Sequence, residues 1–315
     1  MRNQFFCLLL FCASTVSGQI NPTMTKQYRN EEKESYYAKF QEHKKIPTGE
    51  QQRLAYEDAK RYLDRFGGDN DANSQTVRKF VAEYERFIQT HDINAAFGAK
   101  NYGRTFEIGR PIVKNDPENF YVLAVLVGAG YANALAGDGS LNAETADYAR
   151  KAIRLIEDGK VSKPDPIKSM PIAEGFLNYM LGWLIRDQLP VEAAAAFVRA
   201  AKIDNPYRAN PLTYRLLGVA ILKGEFAQMT SEYNEKFGSK PSSPDQTAML
   251  ARITALADRA IDAYARAVAL STNPQQQEVR GKMLKQLTAL YKNFHNNSDA
   301  GLEELISTVL TRPLP

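Results

Sequence analysis

From residue 95 onward, prolines divide this 315-residue chain into segments whose lengths suit α-helices. Proline fits the first turn of a helix and breaks its interior, because it lacks a backbone N–H. The apolar run from Val122 to Val127 resembles a strand, but it lies in a segment of helical length, and we interpret it as a buried helix. No other segment indicates a strand, so the sequence predicts an all-α protein. The dividing prolines are Pro117, Pro164, Pro166, Pro171, Pro190, Pro206, Pro211, Pro241, Pro244 and Pro274.

The region between residues 31 and 91 is polar, but apolar and aromatic residues recur in it at spacings of three or four. This spacing is typical of amphipathic helices that bury one face. Three helices fit the pattern, at about 31–43, 48–66 and 74–90.

The break before the third of these helices has two interpretations. Asp69, Asp71 and Asn73 imitate the start of a calcium-binding loop. Ser74 stands where that loop requires glycine, and Phe80 stands where it requires a bidentate glutamate. We therefore interpret the segment as a linker.

Residues 1–18 have the layout of a secretory signal peptide, with a basic start, an apolar run from Phe5 to Ala13 and a small, polar end. We expect cleavage before Gln19 and an exported protein, periplasmic or associated with a bacterial cell envelope. The alternative is a lipoprotein attached at Cys12, but Phe11 occupies the place where lipid modification needs a small residue. No later stretch approaches the roughly 20 apolar residues of a membrane span.

Composition removes several classes of function. Both cysteines, Cys7 and Cys12, lie in the predicted signal peptide, so the mature chain would lack disulfides, zinc thiolates and cysteine nucleophiles. The 40 Lys and Arg residues exceed the 36 Asp and Glu residues only slightly, giving a formal net charge of +4. This surplus is too small to favour nucleic-acid binding.

Self-comparison of the sequence reveals a repeated pattern. The pair Leu181-Gly182 recurs as Leu217-Gly218, 36 residues later. Small residues follow the first pair, and Asp204 and Pro206 end that unit. A separate pattern that suits the second helix of a unit contains Ala260, Tyr264, Ala267 and Val268, followed by Asn273-Pro274.

These residues resemble the tetratricopeptide repeat (TPR), a helix-turn-helix unit of about 34 residues. In such a unit, glycine and alanine permit close helix packing, and proline ends the second helix. Less complete units fit 101–117 and 120–158. The resemblance implies a TPR-like α-solenoid, with the repeat array at 94–274 and a capping helix pair at 275–315. The predicted signal peptide at 1–18 and an N-terminal helical region at 19–93 precede the array.

We find no motif that indicates catalysis, a metal or a cofactor. His43, His91 and His295 are isolated and are expected to be exposed at helix ends. The glycine spacing of 98–105 imitates a phosphate-binding loop, but Arg104 replaces its lysine. We therefore predict a non-enzymatic protein without catalytic, metal-binding or cofactor-binding residues.

The resemblance implies a concave groove, lined by the first helix of each repeat, that binds a protein or peptide partner. Tyrosine, tryptophan and arginine, which dominate binding energy at interfaces, are common among the matching positions. Aromatic residues at this spacing also suit a core, and the sequence does not distinguish the two. The groove positions are Tyr121, Tyr131, Phe176, Tyr179, Trp183, Arg186, Asp187, Arg215 and Lys223.

Two alternatives stay open. The aromatic residues could bind a small molecule or a cell-wall glycan, or carboxylates on the helices could form a hydrolase.

Overall fold

The computed structural model describes residues 22–238 and 243–315, and the chain divides into two compact units, Met1–Gln89 and Thr90–Pro315. All regular elements in the described ranges are helical, which confirms the all-α prediction. The expected signal peptide at 1–18 lies outside these ranges. Among the described helices, none combines the length and apolar character that a membrane span requires.

The first unit contains the three helices expected from the periodic pattern. They are α1 (Pro22–Lys44), α2 (Gly49–Phe66) and α3 (Ala72–Gly98), the last of which extends beyond the end of the unit. The Thr48 hydroxyl accepts the Gln51 N–H at the start of α2, 3.4 Å away, which satisfies one free donor of the first turn. The core of the unit consists of Phe40, Ala55, Ala59, Tyr62, Phe66, Val77, Phe80 and Val81.

The linker between α2 and α3 is held by cations of α1. Lys33 Nζ lies 2.5 Å from Asp69 Oδ2 and also bonds Asp71, and Arg29 Nη2 lies 2.8 Å from Asp69 Oδ1. Asp71 also accepts the backbone N–H of Ser74, 3.1 Å away, in the first turn of α3. The two carboxylates imitating a calcium loop thus already have cationic partners.

His43 differs from the sequence-based expectation. Its Nδ1 lies 2.7 Å from Oδ2 of Asp58, a buried residue of α2, and its own side chain is only 29% exposed. The prediction that His43 is an isolated, exposed residue is therefore wrong. His295 is half-buried and stacks on the ring of Tyr291 at 3.8 Å between centroids.

The second unit continues with helices that follow the proline pattern. Pro190, Pro211 and Pro244 are the first residues of helices, where their missing N–H groups cost no helical hydrogen bond. The run from Val122 to Val127 is buried within a helix, as expected. The helices are α4 (Tyr102–Asn115), α5 (Phe120–Leu135), α6 (Asn142–Glu157), α7 (Met170–Ile185), α8 (Pro190–Lys202), α9 (Pro211–Ile221), α10 (Ala227–Phe237), α11 (Pro244–Leu270), α12 (Gln277–Phe294) and α13 (Leu302–Thr308).

From α4 to α9, each helix packs against the next one in the chain, and α5 also contacts α7. The two Leu-Gly pairs lie at close approaches. A Cβ atom on Gly182 would lie 3.0 Å from ring atoms of Phe197 on α8, and one on Gly218 would lie 2.8 Å from the ring of Tyr264 on α11. A side chain at either glycine would require the facing ring or the helices to shift.

The partner of α9 is therefore α11. A π-helical segment (Leu222–Phe226) and α10 lie between them in the chain. Two patterns that are separate in the sequence, Leu217-Gly218 and the alanine-rich one around Tyr264, thus form one helix pair with an insertion.

The C-terminal helices α12 and α13 pack on α11. Met283, Leu287 and Leu302 share a core with residues of α11. The buried guanidinium of Arg266 on α11 donates to the carbonyl oxygens of Arg312 at 2.9 Å and Pro313 at 2.8 Å, which fastens the end of the chain to this helix.

Candidate partner-binding surface

A group of aromatic rings joins α5 to α7. The ring of Tyr131 on α5 meets that of Trp183 on α7 edge to face, with centroids 5.0 Å apart and planes at 81°. It also lies 6.4 Å from the ring of Tyr179, which is one helical turn before Trp183. Tyr207, in the 3₁₀ turn Pro206–Ala209, stacks on Tyr179 at 4.6 Å. These contacts fix the orientation of each ring.

Arg186 completes this group. Its Cζ lies 3.9 Å from the centre of the Trp183 ring, a cation–π arrangement, and its Nη1 donates to the Trp183 carbonyl oxygen. We call Tyr131, Tyr179, Trp183, Arg186 and Tyr207 the Trp183 cluster.

A chain of charges continues from the cluster towards the end of α9. Arg186 Nε lies 3.5 Å from Oδ2 of Asp187, and Lys223 Nζ lies 3.0 Å from Oδ1 of the same carboxylate. Asp187 and Lys223 are both exposed, so they form a polar margin beside the rings.

Solvent exposure shows which residues of the cluster a partner can touch. Tyr131, Trp183 and Arg186 are half-buried and keep part of their surface in solvent. Tyr179 is only 3% exposed, so it offers almost no area to a partner. We correct its expected role accordingly: Tyr179 supports the rings around it from within the core.

Burial also keeps the phenols of the cluster neutral. It raises the pKa of Tyr131, Tyr179 and Tyr207 above the ordinary value. The Tyr131 and Tyr179 hydroxyls influence each other, and the positive charge of Arg186 partly counteracts the rise in pKa for both. At neutral pH these hydroxyls are therefore hydrogen-bonding groups without charge.

Two further predicted positions, Tyr121 and Phe176, lie near Gly128 of α5. A Cβ atom on Gly128 would lie 3.5 Å from Cζ of Phe97 and 3.8 Å from Cζ of Phe176, so both rings pack beside this glycine. Gly128 shares one side of α5 with Tyr121, seven residues before it, and with Tyr131, three residues after it. Phe176 and Tyr121 thus border the same face of α5 as the Trp183 cluster.

The position of Arg215 differs from the rest. It is half-buried on α9, and its charge acts on the Tyr264 hydroxyl of α11. Within the described ranges, no ring contact or ion pair connects Arg215 to the Trp183 cluster.

Sequence reasoning missed three neighbours of this surface. Tyr207 lies in a turn outside the helical periodicity, where spacing carries no information about contacts. Phe97 and Asn94 lie at the end of α3, before the first complete repeat pattern, and Asn94 Nδ2 donates to the Tyr121 hydroxyl at 2.5 Å. The Pro206-Tyr207 pair at the end of a repeat unit was the only available signal.

The fold and this surface define an all-helical protein with a partly exposed cluster of aromatic and arginine side chains. No protein-family model matches the chain, and no curated protein matches it either. Among the described residues, no three His, Cys, Asp or Glu side chains are grouped so that they could hold a metal ion.

Proposed function

We propose that the mature chain is an exported, non-enzymatic scaffold, a TPR-like α-solenoid that binds another protein or peptide at the Trp183 cluster. The observation that carries this proposal is the position of Trp183. Its half-buried ring is held between the edge of Tyr131 and the guanidinium of Arg186. Tryptophan, tyrosine and arginine are the residues enriched where interfaces gain most of their binding energy.

The side chains of the cluster are already held in place, which also favours binding. Immobilising a flexible side chain on association costs about 0.5–1.5 kcal/mol, and this cost falls when the side chain is already held. Arg186 is held by both the ring and the backbone of Trp183, and Tyr131 is held by two rings. The exposed Asp187 and Lys223 beside them suit the polar rim of an interface.

Support for the TPR-like part of the proposal comes from the glycines. The pairs Gly182 with Phe197 and Gly218 with Tyr264 provide the close helix contacts for which this repeat uses glycine. Support for export comes from the sequence of residues 1–18 alone.

Crosslinking in the native cell envelope, followed by identification of captured proteins, tests the proposal. We expect Trp183→Phe and Arg186→Gln each to reduce capture of the partner. Lys114→Gln is a matched control, because Lys114 is exposed on α4 and makes no ion pair with another described residue. Equal capture by wild type and both cluster variants would show that the partner binds elsewhere.

The glycan or small-molecule alternative uses the same rings. Because Trp183 is the single tryptophan of the chain, its fluorescence reports directly on this site. Saturable quenching by cell-wall fragments, without any captured protein, would favour that alternative. Turnover that disappears when one Asp or Glu is replaced would instead favour the hydrolase.

A further inference from the structure

A cavity lies between α6, α7 and α8, and none of its residues belongs to the predicted groove. It is a cavity of about 380 Å³ whose apolar lining consists of Ile153, Ile156 and Ile203. This volume lies near the lower end of the range for small-molecule sites, about 300–1,000 Å³. The cavity therefore suits a small ligand.

Asn178 on α7 gives this cavity a polar group that lacks a partner. The residue lines the cavity and is 3% exposed. Its Nδ2 donates to the Glu174 carbonyl oxygen at 2.9 Å, whereas its buried Oδ1 has no hydrogen-bond partner among the described residues. A buried acceptor without a donor costs about 1–3 kcal/mol. Less than 1 Å² of this oxygen is accessible, so a ligand N–H or O–H group recovers this loss when the Asn178 side chain turns towards the cavity.

The rim of the cavity carries opposite charges on separate walls. Glu157 of α6 and Glu174 of α7 supply carboxylates, and Arg199 and Lys202 of α8 supply cations. Among the described residues, none of these four side chains has an oppositely charged partner within 4.0 Å. A ligand that carries both charges can therefore satisfy both walls.

The cavity and the Trp183 cluster use opposite sides of α7. With 3.6 residues per turn, positions 174 and 178 are rotated by roughly 150° from positions 176, 179 and 183. The cavity proposal therefore does not rest on the Trp183 cluster.

We propose that this cavity binds a small zwitterion with an apolar side chain, a free apolar amino acid or an apolar dipeptide. The ammonium group lies towards Glu157 and Glu174, and the carboxylate lies towards Arg199 and Lys202. The apolar side chain packs on the isoleucines, and an N–H of the ligand donates to Asn178 Oδ1.

Isothermal titration of the full mature chain tests this with three probes: L-leucine, L-leucyl-L-leucine and the uncharged N-acetyl-L-leucinamide. We expect saturable binding of at least one zwitterion, with binding of the uncharged probe weaker by about tenfold or more, because each charge-assisted hydrogen bond contributes about that factor. The stronger of the two zwitterions distinguishes an amino-acid site from a dipeptide site.

Variants separate ligand binding from stability. Asn178→Leu removes the unpaired acceptor, so we expect it to keep the melting temperature or raise it while weakening the zwitterion about tenfold. Arg199→Gln changes an exposed residue and is expected to weaken binding similarly without affecting folding. Arg154→Gln is the matched control, because Arg154 is exposed on α6 outside the cavity.

Absence of saturation by either zwitterion at millimolar concentration would overturn the proposal. Binding that is equal in wild type, Asn178→Leu and Arg199→Gln would overturn it too, because the ligand would then occupy another site.

Discussion

The guanidinium of Arg186 covers the indole of Trp183, with Cζ 3.9 Å from the ring centre, and the same guanidinium donates to the Trp183 carbonyl oxygen. One arginine thus holds both the side chain and the backbone of the residue three positions before it. This contact determines which part of the ring meets solvent, so it also determines what a partner can touch.

Replacing Arg186 should change the environment of the single tryptophan. We expect Arg186→Met to increase quenching of Trp183 by acrylamide, because the cover over the ring is lost, and to reduce the free energy of unfolding by about 0.5–1 kcal/mol. Arg186→Lys keeps the charge but loses the planar stack, so we expect its quenching and its free energy of unfolding to lie between those of wild type and Arg186→Met. Identical quenching in wild type and Arg186→Met would show that the contact does not persist in solution.

Gly218 should tolerate no side chain. A Cβ atom there would lie 2.8 Å from two ring atoms of Tyr264, which is itself buried. Overpacking of this kind costs about 1–3 kcal/mol, more than the roughly 1 kcal/mol that alanine gains over glycine in a helix. We therefore expect Gly218→Ala to lower the free energy of unfolding measured in urea.

Gly281 provides the control for this substitution. It lies in α12 with nothing within 4 Å of the Cβ position, so Gly281→Ala should stabilise the protein by roughly 0.5–1 kcal/mol. A gain in stability from both substitutions would mean that α9 and α11 are not in close contact at Gly218.

Local signals predicted the helices because each signal acts within a few residues. Pro190, Pro211 and Pro244 begin helices, where their missing N–H groups cost no helical hydrogen bond. The spacing of the Leu-Gly pairs likewise indicated where helices approach each other. Local signals could not show that α9 packs on α11, because α10 separates Gly218 from Tyr264 in the chain.

In the candidate site too, sequence signals predicted positions on a helix but not the contacts made by distant segments. The repeat resemblance assigned Tyr131 and Trp183 to one surface, and their rings are in contact. It could not show that Tyr179 is covered by Tyr207 from a turn. Similarly, the surroundings of His43 in the sequence are polar, whereas its neighbour in space is the buried carboxylate of Asp58. Periodicity identifies a face of a helix; it does not identify what covers that face.

The contacts of Lys33 should make the first unit sensitive to acid. Hydrogen bonds from Arg29 and Lys33 lower the pKa of Asp69, and one from Lys33, with the Ser74 N–H, lowers that of Asp71. Because these pKa values are lower in the folded state than the unfolded value of about 3.9, the stabilisation is present at neutral pH and is lost as pH falls below that value.

Hydrogen exchange in peptides from α1, α2 and α3 measures this effect locally, after correction for the intrinsic pH dependence of exchange. We expect protection in wild type to fall as the pH drops from about 4 towards 2, and the fall to be smaller in Lys33→Gln. Lys39→Gln, at an exposed position of α1 without an ion pair to a described residue, should follow wild type. Equal acid dependence in Lys33→Gln and wild type would contradict this account.

The hydroxyl of Tyr179 should make the second unit sensitive to alkali. Burial raises the pKa of Tyr179 above its unfolded value of about 10, so the neutral phenol stabilises the fold below that pH. As pH rises above about 10, the unfolded state loses its proton first, and the free energy of unfolding falls by about 1.4 kcal/mol per pH unit for this residue. Urea unfolding followed by Trp183 fluorescence measures the slope.

Tyr179→Phe removes the titrating group while keeping the ring. We expect it to lose about 1 kcal/mol at neutral pH, because the interaction of the Tyr179 hydroxyl with that of Tyr131 disappears. Above pH 10 its free energy of unfolding should fall less steeply than that of wild type, so the two curves converge. Tyr28→Phe changes a side chain that is 73% exposed and should leave the slope as it is. Parallel curves for wild type and Tyr179→Phe would show that the Tyr179 hydroxyl reaches water in the folded protein, and the aromatic core beneath Trp183 would then be open.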